Sequence, residues 1–209
     1  LPKTAKGKKV FIEFEGVRQG ADFYLNGKHI GLHENGVMAV GFDLTPYLNF
    51  TGENVIAVRT DNDWKYKERA TGSRYQWNDN NFNVNYGGIP KNVWLHITDK
   101  LYQTLPLYSN LRTTGVYIYA TDICTKSRKA FVNAESEVRN EYDKSCNVSY
   151  EVCVYDYDGN WVSTFKSAPV IVKSKETVKL KAAKELENLH FWSWGYGYLY
   201  DCLLYTSPS

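Results

Sequence analysis

No stretch of this 209-residue chain approaches the ~20 consecutive apolar residues that a helix needs to cross a bilayer. Excess charge is scarce too. Against 25 Lys and Arg stand 23 Asp and Glu, and a net of +2 creates no field that would draw nucleic acid or an anionic membrane surface. Cysteine occurs four times, at 124, 146, 153 and 202, with no zinc-ligand or CxxC spacing, so the redox compartment stays open. The single Met is not at the start, and Leu1-Pro2-Lys3 is not a natural beginning. A piece of a longer protein is therefore expected, and a missing signal peptide says nothing about the parent.

Catalytic and metal signatures are absent as well. His33-Glu34 opens like a zincin helix, but Val37 holds the place of the second His. Asp61-Asn62-Asp63 opens like a calcium loop, yet Lys65 follows and the required Gly and Glu are missing. There is no G-x-S-x-G elbow and no glycine-rich phosphate cradle. No metal or cofactor is expected.

What the chain does have is aromatic weight and period-two patterning. Aromatics make up 15% of it, with 17 Tyr and 6 Trp, and 43% is hydrophobic, which suits a folded, strand-rich protein. Val10, Ile12 and Phe14 alternate with Phe11, Glu13 and Glu15. Ala21, Phe23 and Leu25 alternate with Asp22, Tyr24 and Asn26, and Asn26-Gly27 is the strongest short-range hairpin signal because a type I′ turn needs two positive φ angles. Lys28–His33 should return antiparallel, Val37–Phe42 should form the next strand, and Asp43-Leu44-Thr45-Pro46 should stop it. Asn54–Thr60 is apolar almost throughout, which predicts a strand covered on both faces.

Further on, strands are expected at 92–98, 101–110, 115–121, 129–141, 147–157 and 160–166, the last two flanking an Asp158-Gly159 turn. Two more strand regions should follow, at 168–182 and 189–200. Lys126-Ser127-Arg128-Lys129 reads as a solvated basic turn. No long helical pattern, internal repeat or low-complexity segment is present. Many short strands at this spacing predict β-sandwiches.

One stretch breaks the pattern. Asp61–Tyr86 has no periodicity, and long structureless loops within compact domains are usually functional or disordered. Six aromatics within it argue against disorder. Five Asn, at 78, 80, 81, 83 and 85, are interleaved with Trp77, Phe82 and Tyr86. Amides and carboxylates hydrogen-bond sugar hydroxyls in both directions, and aromatic rings stack on pyranose faces. An equally simple reading is that these Asn satisfy turn backbone.

Several of these pieces resemble glycoside hydrolase family 2, the β-galactosidase and β-glucuronidase family. They are FEGV at Phe14–Val17, DFYLNG at Asp22–Gly27, FDLTPYL at Phe42–Leu48, ENVIAVR at Glu53–Arg59 and GGIPKNVWL at Gly87–Leu95. Lys91 stands where the family has Arg. Asn188–Tyr200 resembles the segment that closes the family's second domain, with Gly197 at a Pro position. Each piece alone is weak; their order is specific.

The resemblance implies an all-β chain with no catalytic TIM barrel. A galactose-binding-like jelly-roll sandwich at 1–110, lacking an upstream portion, would precede an immunoglobulin-like β-sandwich at 111–201. Residues 202–209, Cys-Leu-Leu-Tyr-Thr-Ser-Pro-Ser, resemble a translated sequencing adapter and are expected to stand outside the fold. In the family, a loop just before the Gly-Ile segment reaches the mouth of the barrel. Aligned from Gly88-Ile89, its acidic and amide positions fall near Asp79, Asn80 and Asn83, while the family's Trp falls on Val84. These three residues are the expected substrate-binding positions, and the loop should project from one end of the first sandwich.

No catalytic residue is expected in this chain. Asn140-Glu141 imitates the family's Asn-Glu acid/base pair, but it ends an alternating strand in the second domain. Retaining hydrolysis needs two carboxyls ~5 Å apart, which the family builds on its barrel. The expected partners are a carbohydrate substrate and a barrel elsewhere in the same chain, with the oligomeric state left open. The implied function is the non-catalytic N-terminal part of a retaining β-glycosidase, most simply a β-galactosidase. A free-standing carbohydrate-binding or adhesion module, or a ligand-free structural sandwich pair, would read similarly.

Overall fold

A computed structural model describes residues 1–74 and 86–208. The chain forms two compact units, Leu1–Asp99 with Leu107–Arg112, and Lys100–Pro106 with Thr113–Ser209. Among the described residues the only α-helix is the four-residue α1 (Tyr108–Leu111). The architecture is nearly all β, as the alternation predicts.

The first unit holds two three-stranded sheets. One has the order β4 (Val40–Asp43), β1 (Lys9–Phe14), β6 (Val93–Thr98); the other has β3 (Lys28–Glu34), β2 (Gly20–Leu25), β5 (Ile56–Asp61). The hairpin β2–β3 turns at Asn26-Gly27, with φ of 51° and 78°, the type I′ signature expected from the sequence. The two sheets share one aromatic stack. Phe23 of β2 lies 5.0 Å from Phe14 of β1 and 4.8 Å from Phe42 of β4, and all three are buried with Val10, Ile12, Ala21 and Leu25.

Two expectations for this unit need correction. Val37 and Met38 are exposed and precede β4, because Asn35 Oδ1 accepts both of their backbone N–H groups and turns the chain there. β5 is not covered on both faces. It is an edge strand, and Val55 and Ile56 are exposed at 64% and 37%.

The second unit is a sandwich of two four-stranded sheets. β9 (Lys129–Asn140) lies at the centre of one, paired with β13 (Thr177–Leu186), β7 (Leu101–Gln103) and β8 (Val116–Cys124). β10 (Cys146–Tyr155) lies at the centre of the other, paired with β11 (Trp161–Lys166), β12 (Val170–Val172) and β14 (Asp201–Pro208). Ala134 and Val138 of β9 face Val148, Tyr150, Val152 and Val154 of β10 across a buried core, the alternation read from the sequence. The Asp158-Gly159 hairpin is present, held by Asp156 Oδ1 accepting from the N–H groups of Asp158 and Asn160.

Here too the structure departs from the reading. The expected strand at 101–110 is only three residues long before the chain turns into α1. Leu189–Tyr200 is not a strand; its Ser193–Tyr196 bridge closes a tight turn. Of residues 202–209, expected outside the fold, 202–208 continue β14 and pair with β10 from Val148 to Val154. Cys202 and Leu204 pack on the core while Leu203 and Tyr205 stay outside. Any segment with that alternation can fill an open strand edge, whatever its origin.

Candidate functional site

The aperiodic stretch at 61–86 enters and leaves the first unit at one end of β2. Asp61 closes β5 opposite Gly20, and Gln19 N–H donates to the Asp61 carbonyl at 3.2 Å. A string of local turns follows. Asp61 Oδ1 accepts from Asp63 N–H and Asp63 Oδ1 from Lys65 N–H, the side-chain mimicry of a turn for which Asp is favoured. Lys67 then bridges Arg74 and completes an arm over 61–74.

Two carboxylates of the sheet hold that arm. Asp22, on β2, is 4% exposed and receives the Arg69 guanidinium as a fork. Nη1 donates to Oδ1 at 3.0 Å, and Nη2 donates to Oδ2. His29 Nε2 lies 3.0 Å from the same Oδ1. Glu34, at the end of β3, accepts twice at Oε1, from Tyr66 Oη at 2.6 Å and from Arg69 N–H at 2.9 Å. The Tyr66 ring lies over Gly20, where a Cβ would fall 2.3 Å from its Cζ and Oη. A glycine inside a strand marks such a close approach.

The electrostatics follow from this packing. The hydrogen bond from Arg69, against the opposing cost of burial, holds the Asp22 carboxyl below its ordinary value of 3.8. Burial first, and then the bond to Glu34, push the Tyr66 phenol well above its ordinary value. Both bonds therefore persist across neutral pH, with Asp22 ionised and Tyr66 donating.

The departing flank is tied to the residues just before β2. Arg18 N–H donates to the Gly88 carbonyl at 2.9 Å, and Gly88 N–H returns to Arg18 at 3.1 Å. The Arg18 guanidinium lies 4.2 Å from the Tyr86 ring centroid, a cation–π stack. Gly87 rests on the Asn62 side chain of the entering flank, where a Cβ would come within 2.5 Å. Both ends of the stretch therefore meet at Arg18–Asp22.

The three expected substrate contacts, Asp79, Asn80 and Asn83, fall in 75–85 and lie outside the described residues. Glu141 is built into the second unit as structure. Its N–H donates to the Lys100 carbonyl at 2.6 Å, and its Oε1 accepts from Tyr102 Oη at 3.1 Å. Asn140 is fully buried. Its Nδ2 donates to the carbonyls of Lys144, Val172 and Lys173, and its Oδ1 accepts from Tyr142 N–H. That set of bonds explains an Asn-Glu pair here without catalysis.

The sequence reading missed Asp22, Glu34, Tyr66 and Arg69. Asp22 sits at an outward position of an alternating strand and looks solvated until the arm covers it. The available signal was Gly20, a glycine at the first position of an otherwise good strand.

An all-β pair of units, jelly-roll-like and then immunoglobulin-like, with a long anchored loop on the first, defines the class. The description "Glycosyl hydrolase 2 galactose-binding domain-like" matches residues 1–95, and "Glycosyl hydrolases family 2" matches 116–207. A beta-glucuronidase of Formosa agariphila is 42% identical over 96% of this chain. A beta-galactosidase of Bacteroides ovatus is 29% identical over 85% of it. A solved beta-glucuronidase of glycoside hydrolase family 2 superposes on the whole chain with a TM-score of 0.89 at 38% identity. The chain belongs to glycoside hydrolase family 2. It spans about a fifth of the length of these relatives: 20% and 18% of the two sequences and 21% of the solved chain.

Proposed function

We propose that this chain is the non-catalytic N-terminal part of a retaining hydrolase of terminal β-glycosides, and that Asp79, Asn80 and Asn83 touch the terminal sugar. The reaction itself would be carried by two carboxyls on a barrel outside this chain. The observation that carries the reading is the anchoring of 61–88. The flank entering 75–85 is held by Asp22 of β2 and Glu34 of β3, and the departing flank by Arg18 just before β2; binding residues concentrate on loops that a rigid scaffold positions in this way. The amide-rich and aromatic composition of 75–85 supplies the chemistry for hydroxyl groups and pyranose faces.

The sequence reading favoured a β-galactoside. Relatives bearing both the glucuronidase and galactosidase names resemble this chain, so both substrates belong in the test. The comparisons lend no weight to a free-standing binding module, since the relatives matched are named as glycosidases.

The test uses the full-length enzyme that carries this segment. It should cleave a nitrophenyl β-galactoside or β-glucuronide with retention, whereas the 209-residue chain alone should show no turnover. Asn80→Ala or Asn83→Ala should lower kcat/KM about tenfold or more while leaving the melting temperature nearly unchanged, as lost transition-state contacts do. Full activity in both variants would refute the site.

A further inference from the structure

We propose that the outer face of the β8–β9–β13 sheet is a second carbohydrate-binding surface, which holds a neutral, extended oligosaccharide across Tyr117 and Tyr119. It lies wholly within the second unit and is independent of the substrate contacts proposed for the first.

Strand alternation assembles the face. Ala134, Ser136 and Val138 of β9 point into the sandwich, so Asn133, Glu135 and Glu137 point away from it. On the edge strand β8, Ile118 packs on the core and leaves Tyr117 and Tyr119 outside. The ladders then align Tyr117, Glu135 and Lys181 in one cross-strand row, and Tyr119, Asn133 and Ala183 in the next.

Three features of this face carry the inference. First, the Tyr117 and Tyr119 rings lie 5.1 Å apart with planes 30° from parallel, and Tyr117 is 64% exposed. They form one apolar plate in water, the surface on which a pyranose ring stacks. Second, the face has relief. Ala183 offers only a methyl beside the longer Lys181, and a depression of about 250 Å³ lies there among Tyr119, Asn133, Glu135 and Lys181. Another of about 230 Å³ lies among Tyr117, Glu135, Glu137 and Lys179. Both are smaller than the ~300–1,000 Å³ pockets that enclose a whole ligand, and Glu135 lines both, so a ligand would lie across the two as an extended chain.

Third, donors and acceptors alternate and are held in place. Glu135 Oε1 accepts from Lys181 Nζ at 2.7 Å, and Glu137 accepts from the hydroxyls of Thr104 at 2.8 Å and Thr114 at 3.1 Å. Sugar hydroxyls both donate and accept, and so suit a face that presents carboxylate, amide and ammonium groups side by side. The charges also balance, with Glu135 opposite Lys181 and Glu137 opposite Lys179. A balanced face creates no field for a polyanion or a strongly charged protein segment, which leaves a neutral glycan as its match.

The test titrates the 209-residue chain with cellohexaose, xylohexaose and β-1,4-galactohexaose, read by calorimetry and by amide chemical shifts. At least one should bind, with shifts confined to β8, β9 and β13. Tyr117→Ala and Tyr119→Ala should each weaken that binding about tenfold, and Glu135→Gln about threefold. Trp161→Ala, an exposed aromatic on the opposite sheet, should leave it unchanged, and amide protection in β9 should be the same in all four variants. In the full-length enzyme, the hexasaccharide that binds should protect Tyr117 from nitration by tetranitromethane.

No binding by any of the three sugars at 10 mM (about 2.7 kcal/mol) would overturn the proposal. Shifts confined to the first unit, or full affinity in both tyrosine variants, would do the same. So would a Tyr117 that resists nitration in the sugar-free full-length enzyme, because other parts of the parent would then cover the face. Concentration-dependent dimerisation abolished by Tyr117→Ala, without sugar binding, would assign the face to a second copy instead.

Discussion

Replacing Gly20 by Ala is the sharpest perturbation of the anchored arm. In a strand interior Gly→Ala ordinarily stabilises by about 0.5–1 kcal/mol, because glycine loses more backbone freedom on folding. Here the new methyl would stand 2.3 Å from Cζ and Oη of Tyr66 and 2.8 Å from Cε2. Carbon contacts settle near ~3.5–4.0 Å, so the ring must retreat by a little more than about 1 Å. The Tyr66–Glu34 hydrogen bond, 2.6 Å long, would then stretch past ~3.5 Å, where it no longer counts as a bond. A hydrogen bond to a charged acceptor contributes about 1.5–3 kcal/mol, and Tyr66 is half buried, which places the loss at the lower end. With the strand gain subtracted, Gly20→Ala should destabilise the first unit by about 1 kcal/mol, a drop of roughly 4–8 °C in its melting temperature.

Native-state amide exchange in β1–β4 isolates that unit from the second. The decisive arm is the double-mutant cycle. With Tyr66→Ala the ring is gone, so adding Gly20→Ala should cost nothing and recover the small strand gain. An equal cost in both backgrounds, or no cost beside an intact Tyr66, would refute the reasoning that Gly20 exists to seat this ring.

Three further outcomes follow from the same physics. His33 is 7% exposed and its Nε2 has no hydrogen-bond partner among the described residues; burial holds its pKa below the ordinary 6.5. The unfolded chain therefore takes up a proton first as pH falls below about 6.5, and the first unit should lose stability progressively from there, a slope that His33→Phe should flatten in urea titrations. Tyr150 is fully buried and its hydroxyl has no hydrogen-bond partner among the described residues, so Tyr150→Phe should be neutral or raise the second unit's stability by about 1 kcal/mol; a loss beyond that in chemical denaturation would mean the hydroxyl has a partner. Asn140→Ala removes donors from three carbonyls at once and should cost the second unit about 2–4 kcal/mol, whereas Glu141→Gln should leave turnover of the full-length enzyme unchanged.

Local sequence determined what a few neighbouring residues can settle between themselves. Asn26-Gly27 tolerates two positive φ angles, so the β2–β3 hairpin follows without reference to the rest of the chain. Ala134 and Val138 fall on one side of β9 because a strand's side chains alternate, and the core of the second unit follows from that period. The ordered motifs from Phe14 to Leu95 were sufficient for the family. Tertiary structure decided whatever depends on a distant covering group. Asp22 reads as an outward, solvated carboxylate; it is buried because an arm some 47 positions later brings Arg69 over it. The apolar run at β5 reads as covered on both faces, yet burial depends on what packs against a strand, and β5 stands at a sheet edge. The run at 202–209 reads as a foreign tail, and the open edge of β10 makes a strand of residues 202–208. Periodicity tells which side chains share a face, but only the packed chain supplies the group that meets them there.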